Sequence, residues 1–488
     1  MSKYVISVDQ STQGTKALLF DEKGTLIKRT DKSHKQIINS LGWVSHDPEE
    51  IYANTNAVIR TLVEEAGIDK NEVVGLGISN QRETSVIWSR KTGKPLQNAV
   101  VWQCARATGI CERPEIAGMA DEIAARTGIK LSPYFPAAKF AWLQENTPEE
   151  AKADGYCLGT IDAYLVYRLT GCKEFRTDYS NASRTQLFHI FDLKWDEKLC
   201  GLFGIDPANL PEVTDSDAIF GYTDCEGFFE KPIPISGVLG DSHAALFGQG
   251  CHRKGETKTT YGTGSSIMMN IGTEPVLSTH GVVTSLAWSR GGRAEYVLEG
   301  NLNYTGATIT WLKDDLKLIG SAGETQALAE AAHQEDELYF IPAFTGLGAP
   351  YWNSHARASI VGMDRTTGKN EVVRSVLECI AYQISDIVFA MEEDAHLKLS
   401  QLRVDGGPTR NGYLMQFQSD ILQTEVAVPD AEELSGIGAA YMAGLTFGVW
   451  GEEVFDNLNR KAYLPQMAAE KRDQKYAGWK AAVATVLR

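Results

Sequence analysis

Several common sequence signatures are missing from this 488-residue chain. None of its eight cysteines form a CxxC pair, so the sequence predicts neither a zinc knuckle nor a disulfide framework. Reduced thiols in a cytoplasmic protein are therefore expected. No HExxH motif occurs and the nine histidines are dispersed, which argues against a histidine metal site.

Long apolar runs and excess positive charge are missing too. No apolar stretch approaches the ~20 residues that a membrane-spanning helix needs, and Asp9 precedes any apolar run that could act as a signal peptide. Lys and Arg number 47 against 63 Asp and Glu, a formal net charge of −16, which disfavours general nucleic-acid binding. We expect a cytoplasmic protein with neither a membrane nor a nucleic-acid partner.

The usual nucleotide-binding signatures also fail. No Gly-Lys pair is followed by Ser or Thr, which excludes a Walker A loop, and Gly436-Ile-Gly438 lacks the third glycine of a dinucleotide fingerprint. Gly240-Asp-Ser-His-Ala244 is close to the GxSxG nucleophile elbow, but alanine stands where glycine permits the strained turn. A serine hydrolase that uses Ser242 stays an alternative; in the rival interpretation Asp241 is the key residue.

Two similar hairpins indicate a chain built of two related halves. Residues 4–8 and 16–20 predict two strands joined by a polar turn, and a comparable unit recurs over 258–270. This repeat predicts two domains, residues 1–247 and 248–488. A length of 488 residues is consistent with two to four domains.

Strand and helix patterns between the hairpins predict the α/β class. Residues 73–79 and 85–88 have strand composition, and residues 48–65 predict a helix with Asp47 as its N-cap. Apolar spacing predicts a second helix over 371–391, capped by Asn370. A terminal helix is expected over 471–488, ending at Arg488.

Three turns have the chemistry of a phosphate site. Small residues after Asp9 let backbone N–H groups and hydroxyls approach phosphate oxygens, and Asp9 can bind Mg²⁺ directly or through water. Gly262-Thr-Gly264 offers the same chemistry from the other half, and Asp405-Gly-Gly407 a third close backbone approach. Each turn alone is typical of structure; the three in order favour function.

Longer motifs make the resemblance specific. They include Gly77-Ile-Ser-Asn-Gln-Arg-Glu-Thr84, Thr260-Tyr-Gly-Thr-Gly264, Pro342-Ala-Phe-Thr-Gly-Leu-Gly-Ala-Pro-Tyr-Trp352 and Leu414-Met-Gln-Phe-Gln-Ser-Asp420. With these blocks the sequence resembles the FGGY carbohydrate kinases, and among them most closely the glycerol kinases, from about residue 4 to residue 480. The resemblance implies the two-domain sugar kinase, heat-shock 70 and actin (ribonuclease H-like) fold around a central cleft. It also implies ATP and Mg²⁺ as cosubstrates, and a homodimer or homotetramer.

The resemblance places an acceptor site and a general base. Its substrate contacts fall on Arg82, Glu83, Trp102, Tyr134 and Asp241. Asp241 would accept the proton of the attacking hydroxyl, Arg82 and Glu83 would bind hydroxyls, and Trp102 would lie against the carbon chain. Two structural alternatives stay open: Trp102 as a core residue, and Arg82–Glu83 as a solvated surface pair of little energetic value.

The resemblance also places the nucleotide and the metal. It puts Thr12, Thr15, Lys16, Gly262 and Thr263 near the phosphates, Gly306, Gly407 and Asn411 around the adenosine, and Asp9 with Asp241 at the metal. The implied reaction is ATP-dependent phosphorylation of a terminal hydroxyl of glycerol or a related small polyol or sugar. A chaperone-like ATPase on the same fold is the rival, but no stretch of chain is left for a peptide-binding domain.

The sequence departs from glycerol kinases in the acceptor pocket. Ser242 and Ser266 stand where glutamine and phenylalanine are usual, and Asn301 and Asn303 replace apolar residues. Small hydroxylated side chains would favour a longer or more hydroxylated acceptor, so a four- or five-carbon polyol or ketose is the alternative to glycerol. His243 is expected to pack rather than to bind substrate.

Overall fold

A six-stranded mixed sheet forms the centre of the first half in the computed structural model, which describes residues 3–333 and 337–487. In spatial order its strands are Gly221–Thr223, Ile233–Gly240, Val73–Asn80, Tyr4–Gln10, Gly14–Phe20 and Leu26–Ser33. Val73–Asn80 runs parallel to both neighbours, and the other pairs are antiparallel. The central strands are buried on both faces, as expected for a sheet covered by helices on each side.

A seven-stranded sheet repeats this plan in the second half. Its spatial order is Val283–Arg290, Arg293–Leu302, Ser265–Gly272, Thr257–Tyr261, Gln401–Asp405, Glu425–Pro429 and Arg460–Tyr463. In both sheets the two strands that come first along the chain form an antiparallel hairpin. Two strands from later in the chain then add in parallel on one side of that hairpin. The predicted relation between the two halves is therefore visible in the strand order.

Smaller sheets complete the strand inventory. A five-stranded sheet contains, in spatial order, Ile37–Ile38, Val44–His46, Ala99–Val100, Ser85–Ser89 and Tyr156–Thr160. Three two-stranded ladders pair Arg176–Asp178 with Glu212–Thr214, Phe188–His189 with Lys194–Trp195, and Tyr339–Ile341 with Ser359–Val361.

Helices connect and cover the sheets. The α-helices are Pro48–Ala66, Thr108–Cys111, Pro114–Ala117, Ala120–Thr127, Pro136–Glu145, Glu149–Lys152, Ile161–Leu169, Tyr179–Ala182, Glu197–Leu202, Asp241–Gly248, Gly306–Thr310, Glu324–Glu330, Lys369–Ala395, Gly412–Leu422, Leu434–Thr446 and Ala469–Val486. Among the described residues, no helix combines the length and the apolar character needed to cross a bilayer.

The helix termini test the capping predictions. Asp47 caps Pro48–Ala66 as predicted, because its carboxylate accepts a hydrogen bond from Glu49 N at 2.9 Å. The predicted Asn370 cap is wrong: the helix is Lys369–Ala395 and Gly368 precedes it, with its N–H bonded to the Glu371 carboxylate. The predicted contribution of Arg488 lies outside the described residues.

Helix Leu434–Thr446 packs unusually closely on the helix that begins at Asp241. A Cβ added to Gly438 would lie 1.8 Å from the carbonyl oxygen of Ala244. On its other side the helix approaches the first sheet, since a Cβ on Gly77 would lie 2.5 Å from the Ala439 carbonyl oxygen. This late segment of the chain thus packs on the first half, and the domain division at residue 247 stays a prediction.

The close helix crossing predicts that an added methyl group destabilises the protein at Gly438 but not at a glycine with open space around it. Gly438→Ala should lower the free energy of unfolding by about 1–3 kcal/mol, because the added methyl group would meet backbone atoms of helix Asp241–Gly248, which cannot move away as a flexible side chain can. Gly201→Ala is the matched control: the site is helical and has open space around it, so it should be neutral or stabilise by about 0.5–1 kcal/mol. Urea denaturation measures both, and equal midpoints would contradict the packing argument.

Candidate active site

A cavity of about 880 Å³ opens between the two large sheets. Seven of the residues predicted from the sequence line it: Trp102, Tyr134, Asp241, Ser242, Gly262, Thr263 and Ser266. The first four come from the first half of the chain and the last three from the hairpin of the second half. Five of the predicted acceptor residues therefore meet one predicted phosphate turn in a single cleft, whereas Arg82 and Glu83 are not among the described residues that line it.

Asp241 enters the cavity from the end of a central strand. Strand Ile233–Gly240 ends at the residue before it, and Asp241 is the first residue of helix Asp241–Gly248. Its side chain is 36 % exposed, and its Oδ1 accepts a hydrogen bond from Ser242 N at 2.6 Å. A carboxylate held by a strand end and a helix start, yet open to the cavity, is suited to accept a proton from a bound ligand.

The first hairpin supplies Asp9 and the turn that follows it. Asp9 is buried and accepts a hydrogen bond from Ser79 Oγ at 3.0 Å. Burial raises the pKa of Asp9 to about 6; the Lys16 ammonium opposes this rise, and the Asp241 carboxylate adds to it. Asp241, the other predicted metal-binding carboxylate, is thus close enough to influence the pKa of Asp9.

The remaining predicted residues of this hairpin have different neighbours. Lys16 Nζ lies 2.7 Å from a carboxylate oxygen of Glu433, a residue of the second half. The Thr12 hydroxyl accepts a hydrogen bond from Trp102 Nε1 at 2.9 Å, which joins the first predicted phosphate turn to the predicted acceptor site. The Thr15 hydroxyl is buried and finds no hydrogen-bond partner in the described part of the chain.

The turn of the second hairpin is locked to a helix start. Gly306 N donates to Gly262 O at 2.9 Å, and Ala307 N donates to Thr263 O at 3.0 Å. A Cβ on Gly306 would lie 2.7 Å from the Gly262 carbonyl oxygen, so only glycine fits here. Gly306 thus supports the turn directly, whether or not it also contacts adenosine.

The third turn lies beside the second hairpin. Gly406 has φ +100°, and a Cβ there would lie 2.0 Å from the Tyr261 carbonyl oxygen. Gly407 has open space around it and begins the short 3₁₀ segment Gly407–Arg410. Asn411 caps helix Gly412–Leu422 through Leu414 N, and its amide donates to Thr325 Oγ1 at 3.0 Å. The adenosine contacts of Gly407 and Asn411 stay predictions.

Arg82 and Glu83 are not a surface pair. Their exposures are 6 % and 2 %, so the alternative of a solvated pair is wrong. Arg82 donates from Nη1 and Nη2 to Glu299 at 3.0 and 2.8 Å, and its Nε lies 3.3 Å from Asp241 Oδ1. Glu83 has φ +59°, a left-handed backbone conformation that costs a non-glycine residue about 1–2 kcal/mol.

Two residues of this cluster were not predicted. Arg184 donates from Nε to Glu83 at 2.7 Å, and its Nη1 lies 2.6 Å from Glu299. Burial raises the pKa of Glu299, but Arg184 and Arg82 outweigh this effect and hold it well below its usual range. The sequence contained one signal: Glu299 directly follows the apolar run Tyr296-Val-Leu298 within strand Arg293–Leu302.

Two aromatic rings form one wall of the cavity. The Trp102 and Tyr134 rings meet edge to face at 5.6 Å between centroids, and both border the cavity. Trp102 is only partly buried, so it is not simply a core residue. Nearby, the buried Lys139 donates from Nζ to the Tyr134 carbonyl oxygen.

His243 packs, as predicted. Its side chain is completely buried and lies 3.5 Å from Ser285 Oγ. Burial lowers the pKa of His243 well below its ordinary value, and the Arg82 charge adds to this effect. A neutral, buried ring of this kind is a packing element of the helix that carries Asp241.

Comparison with known proteins identifies the relatives of this chain. Models of the FGGY family of carbohydrate kinases match it over residues 4–248 (N-terminal domain) and 257–447 (C-terminal domain). Glycerol kinase 1 of Thermotoga maritima is 46 % identical, with 99 % of both chains covered. The glycerol kinase of Petrotoga mobilis is 44 % identical, with 99 % of this chain and 98 % of the relative covered.

Solved structures of two kinases have the same fold as this chain. Plasmodium falciparum glycerol kinase with ADP superposes with a TM-score of 0.93 at 36 % identity, covering 100 % of this chain and 98 % of that one. Gluconate kinase from Lactobacillus acidophilus has a TM-score of 0.90 at 21 % identity, covering 100 % and 99 %, and shows the fold alone. The predicted sugar kinase fold is confirmed, and the serine hydrolase and chaperone-like interpretations are overturned.

Lys139 gives a stability prediction that depends on pH. Burial lowers the pKa of Lys139 to about 7, from the 10.5 of an exposed lysine. Between these values the unfolded chain binds a proton that the folded chain lacks, so this group raises the free energy of unfolding with increasing pH. The rise amounts to at most ~1.4 kcal/mol per pH unit.

Lys139→Met removes this term. The free energy of unfolding of the wild type minus that of Lys139→Met should therefore grow from about pH 7 to about pH 10, as measured by urea denaturation. Lys91→Met is the control, because Lys91 is an exposed surface residue paired with Asp154. If the Lys139→Met difference is as flat with pH as the Lys91→Met difference, the buried-lysine argument is wrong.

Proposed function

Because this chain belongs to the FGGY family of carbohydrate kinases, we propose that it transfers the γ-phosphoryl group of ATP to a terminal hydroxyl of glycerol. The observation that carries the proposal is the position of Asp241. It lies in one cavity with the aromatic wall of Trp102 and Tyr134 and with the turn that contains Gly262 and Thr263.

Acceptor binding would use groups of the first half. Glu83 and Arg82 would bind the acceptor hydroxyls, and Trp102 and Tyr134 would cover the carbon chain. Asp241 would take the proton of the terminal hydroxyl while the oxygen of that hydroxyl bonds to the γ-phosphorus. The bond from that phosphorus to the β–γ bridging oxygen breaks, and ADP leaves.

Nucleotide binding would use the three turns. Thr12, Thr15, Lys16, Gly262 and Thr263 are proposed phosphate ligands, and Gly306, Gly407 and Asn411 are proposed to lie around the adenosine. Preorganised N–H groups in such turns stabilise the charge that develops on the transferred oxygens. Closure of the cleft would exclude water and so limit wasteful hydrolysis of ATP.

The carboxylates of Asp9 and Asp241 fit a magnesium ion. Both are hard oxygen ligands, and the charge of Asp241 raises the pKa of Asp9, as expected of two carboxylates that share one region. Among the described residues, no group of three or more His, Cys, Asp and Glu side chains is placed so that it could hold a metal ion. This agrees with Mg²⁺, which is usually held by one or two carboxylates together with substrate phosphates and water. When bound, Mg²⁺ would neutralise phosphate charge.

A four- or five-carbon polyol or ketose is the second candidate acceptor. Ser242, Ser266 and Asn301 all border the cavity, and Ser266 Oγ lies 3.4 Å from a Glu299 carboxylate oxygen. This wall offers hydroxyl and amide groups to an acceptor longer than glycerol. We also propose a cytoplasmic location, a homodimer or homotetramer, and domains formed by residues 1–247 and 248–488.

Asp241→Asn tests the proposed base. The amide cannot accept the proton, so kcat should fall by about 10²–10⁴ while the affinity for ATP is kept. Coupled measurement of ADP release with glycerol gives kcat, and calorimetric titration gives ATP binding. Asp224→Asn, at an exposed position, should behave as wild type. Turnover of Asp241→Asn near the wild-type value would reject the role of Asp241.

Ser266→Phe tests the second candidate acceptor. A ring at this position would fill the polar side of the cavity and should shift the preference toward glycerol. The measurement is kcat/KM for glycerol relative to erythritol, xylitol, ribulose and xylulose. A ratio that Ser266→Phe leaves unchanged would show that this wall does not select the acceptor.

A further inference from the structure

Glu299 is a buried carboxylate that neither the predicted site nor the proposed reaction uses. It lies in strand Arg293–Leu302 of the second sheet, and its side chain is fully buried. The residues that precede it, Val297 and Leu298, are apolar and also completely buried. A charge at such a position is costly unless every oxygen is paired.

The partners of Glu299 come from the other half of the molecule. Arg82 donates to both of its oxygens, from Nη1 at 3.0 Å and from Nη2 at 2.8 Å. Arg184 Nη1 lies 2.6 Å from Oε2. The hydrogen bonds of Glu299 to described residues of the second half are longer, from Ser266 Oγ at 3.4 Å and from Asn301 Nδ2 at 3.3 Å. The strong contacts therefore run across the cleft.

Each arginine also contacts a carboxylate of the predicted site. Arg82 Nε lies 3.3 Å from Asp241 Oδ1, and Arg184 Nε donates to Glu83 Oε1 at 2.7 Å. The order of charges is thus Asp241, Arg82, Glu299, Arg184, Glu83, alternating in sign. Glu299 is the middle member, and it is the one supplied by the second half.

We propose that Glu299 is a positioning residue that orients the proposed base Asp241 and the proposed acceptor ligand Glu83 through the two arginines. The inference rests on the proposed function. Bidentate pairing fixes the plane of the Arg82 guanidinium, which leaves Nε as the guanidinium nitrogen that lies near Asp241, at 3.3 Å from Oδ1. Without the Glu299 charge, Arg82 would turn toward Asp241. It would then compete with the acceptor hydroxyl for the Asp241 carboxylate.

Glu299→Gln tests this role through a split between the two substrates. Glutamine has the same shape but no charge, so both arginines lose their common partner. A misplacement of this kind costs about 10²-fold, and we expect that loss in kcat/KM for glycerol with the KM for ATP unchanged. Glu299→Asp keeps the charge with a shorter reach and should recover part of the loss.

Glu295→Gln is the matched control. It makes the same substitution on the same strand, where Glu295 accepts a hydrogen bond from Asn270 Nδ2 at 2.9 Å and lies outside the charge series. It should keep wild-type kinetics for both substrates. Thermal unfolding of each variant establishes that it folds.

The outcomes separate cleanly. A folded Glu299→Gln with wild-type kcat/KM for glycerol overturns the inference. So does a KM for ATP that rises by as large a factor as kcat/KM for glycerol falls, which indicates a merely structural role. If Glu299→Gln does not fold, Glu299→Asp decides in the same way. A lower kcat/KM for glycerol with an unchanged KM for ATP supports the role. A wild-type kcat/KM for glycerol, or a KM for ATP that rises by as large a factor as kcat/KM for glycerol falls, overturns it.

Failure of the proposed function is recognised separately. If the wild type phosphorylates neither glycerol nor a longer polyol or ketose, the kinase assignment to these acceptors fails. The crystal structure of Glu299→Gln, or of Glu299→Asp, then tests the positioning role. Displacement of Arg82 relative to Asp241 supports it, and an unchanged contact overturns it.

Discussion

Five buried or half-buried charges constrain the rest of this molecule. They lie at the floor of the cleft and are Asp241, Arg82, Glu299, Arg184 and Glu83. Arg82 and Arg184 are almost fully buried, and Glu299 of the second sheet is the carboxylate that pairs with both of them. Removing one partner of such a cluster typically costs about 3–5 kcal/mol, since it leaves an uncompensated buried charge. The cluster therefore requires that both halves adopt their observed arrangement, and the same contacts present Asp241 to the cavity.

Close backbone packing supports this electrostatic arrangement from behind. Helix Leu434–Thr446 crosses helix Asp241–Gly248 so tightly that Gly438 has no room for a side chain beside the Ala244 carbonyl group. Just before that helix, Glu433 pairs with Lys16 of the first hairpin. Residues 433–446 thus hold in place both the helix of the proposed base and the first predicted phosphate turn. This explains how widely separated segments form one site.

Much of this arrangement could be predicted from the sequence, and what could not has a physical reason. The hairpins, the central strands and the Asp47 cap follow from local composition and spacing, which act within a few residues. The Asn370 cap failed because Glu371 bonds Gly368 N and starts the helix earlier. Glu299 and Arg184 were missed because their roles depend on partners about 100 to 200 residues away, and the surface-pair alternative for Arg82–Glu83 failed for the same reason.

The central claim is that Asp241 faces the acceptor hydroxyl and the terminal phosphate from the floor of the cleft. A crystal structure with glycerol, Mg²⁺ and a non-hydrolysable ATP analogue tests it most directly. The account predicts a carboxylate oxygen of Asp241 within about 2.6–3.2 Å of the terminal hydroxyl, with that hydroxyl oriented toward the γ-phosphorus. An Asp241 side chain turned away from both ligands, with another group in hydrogen-bond contact with the hydroxyl, would contradict it.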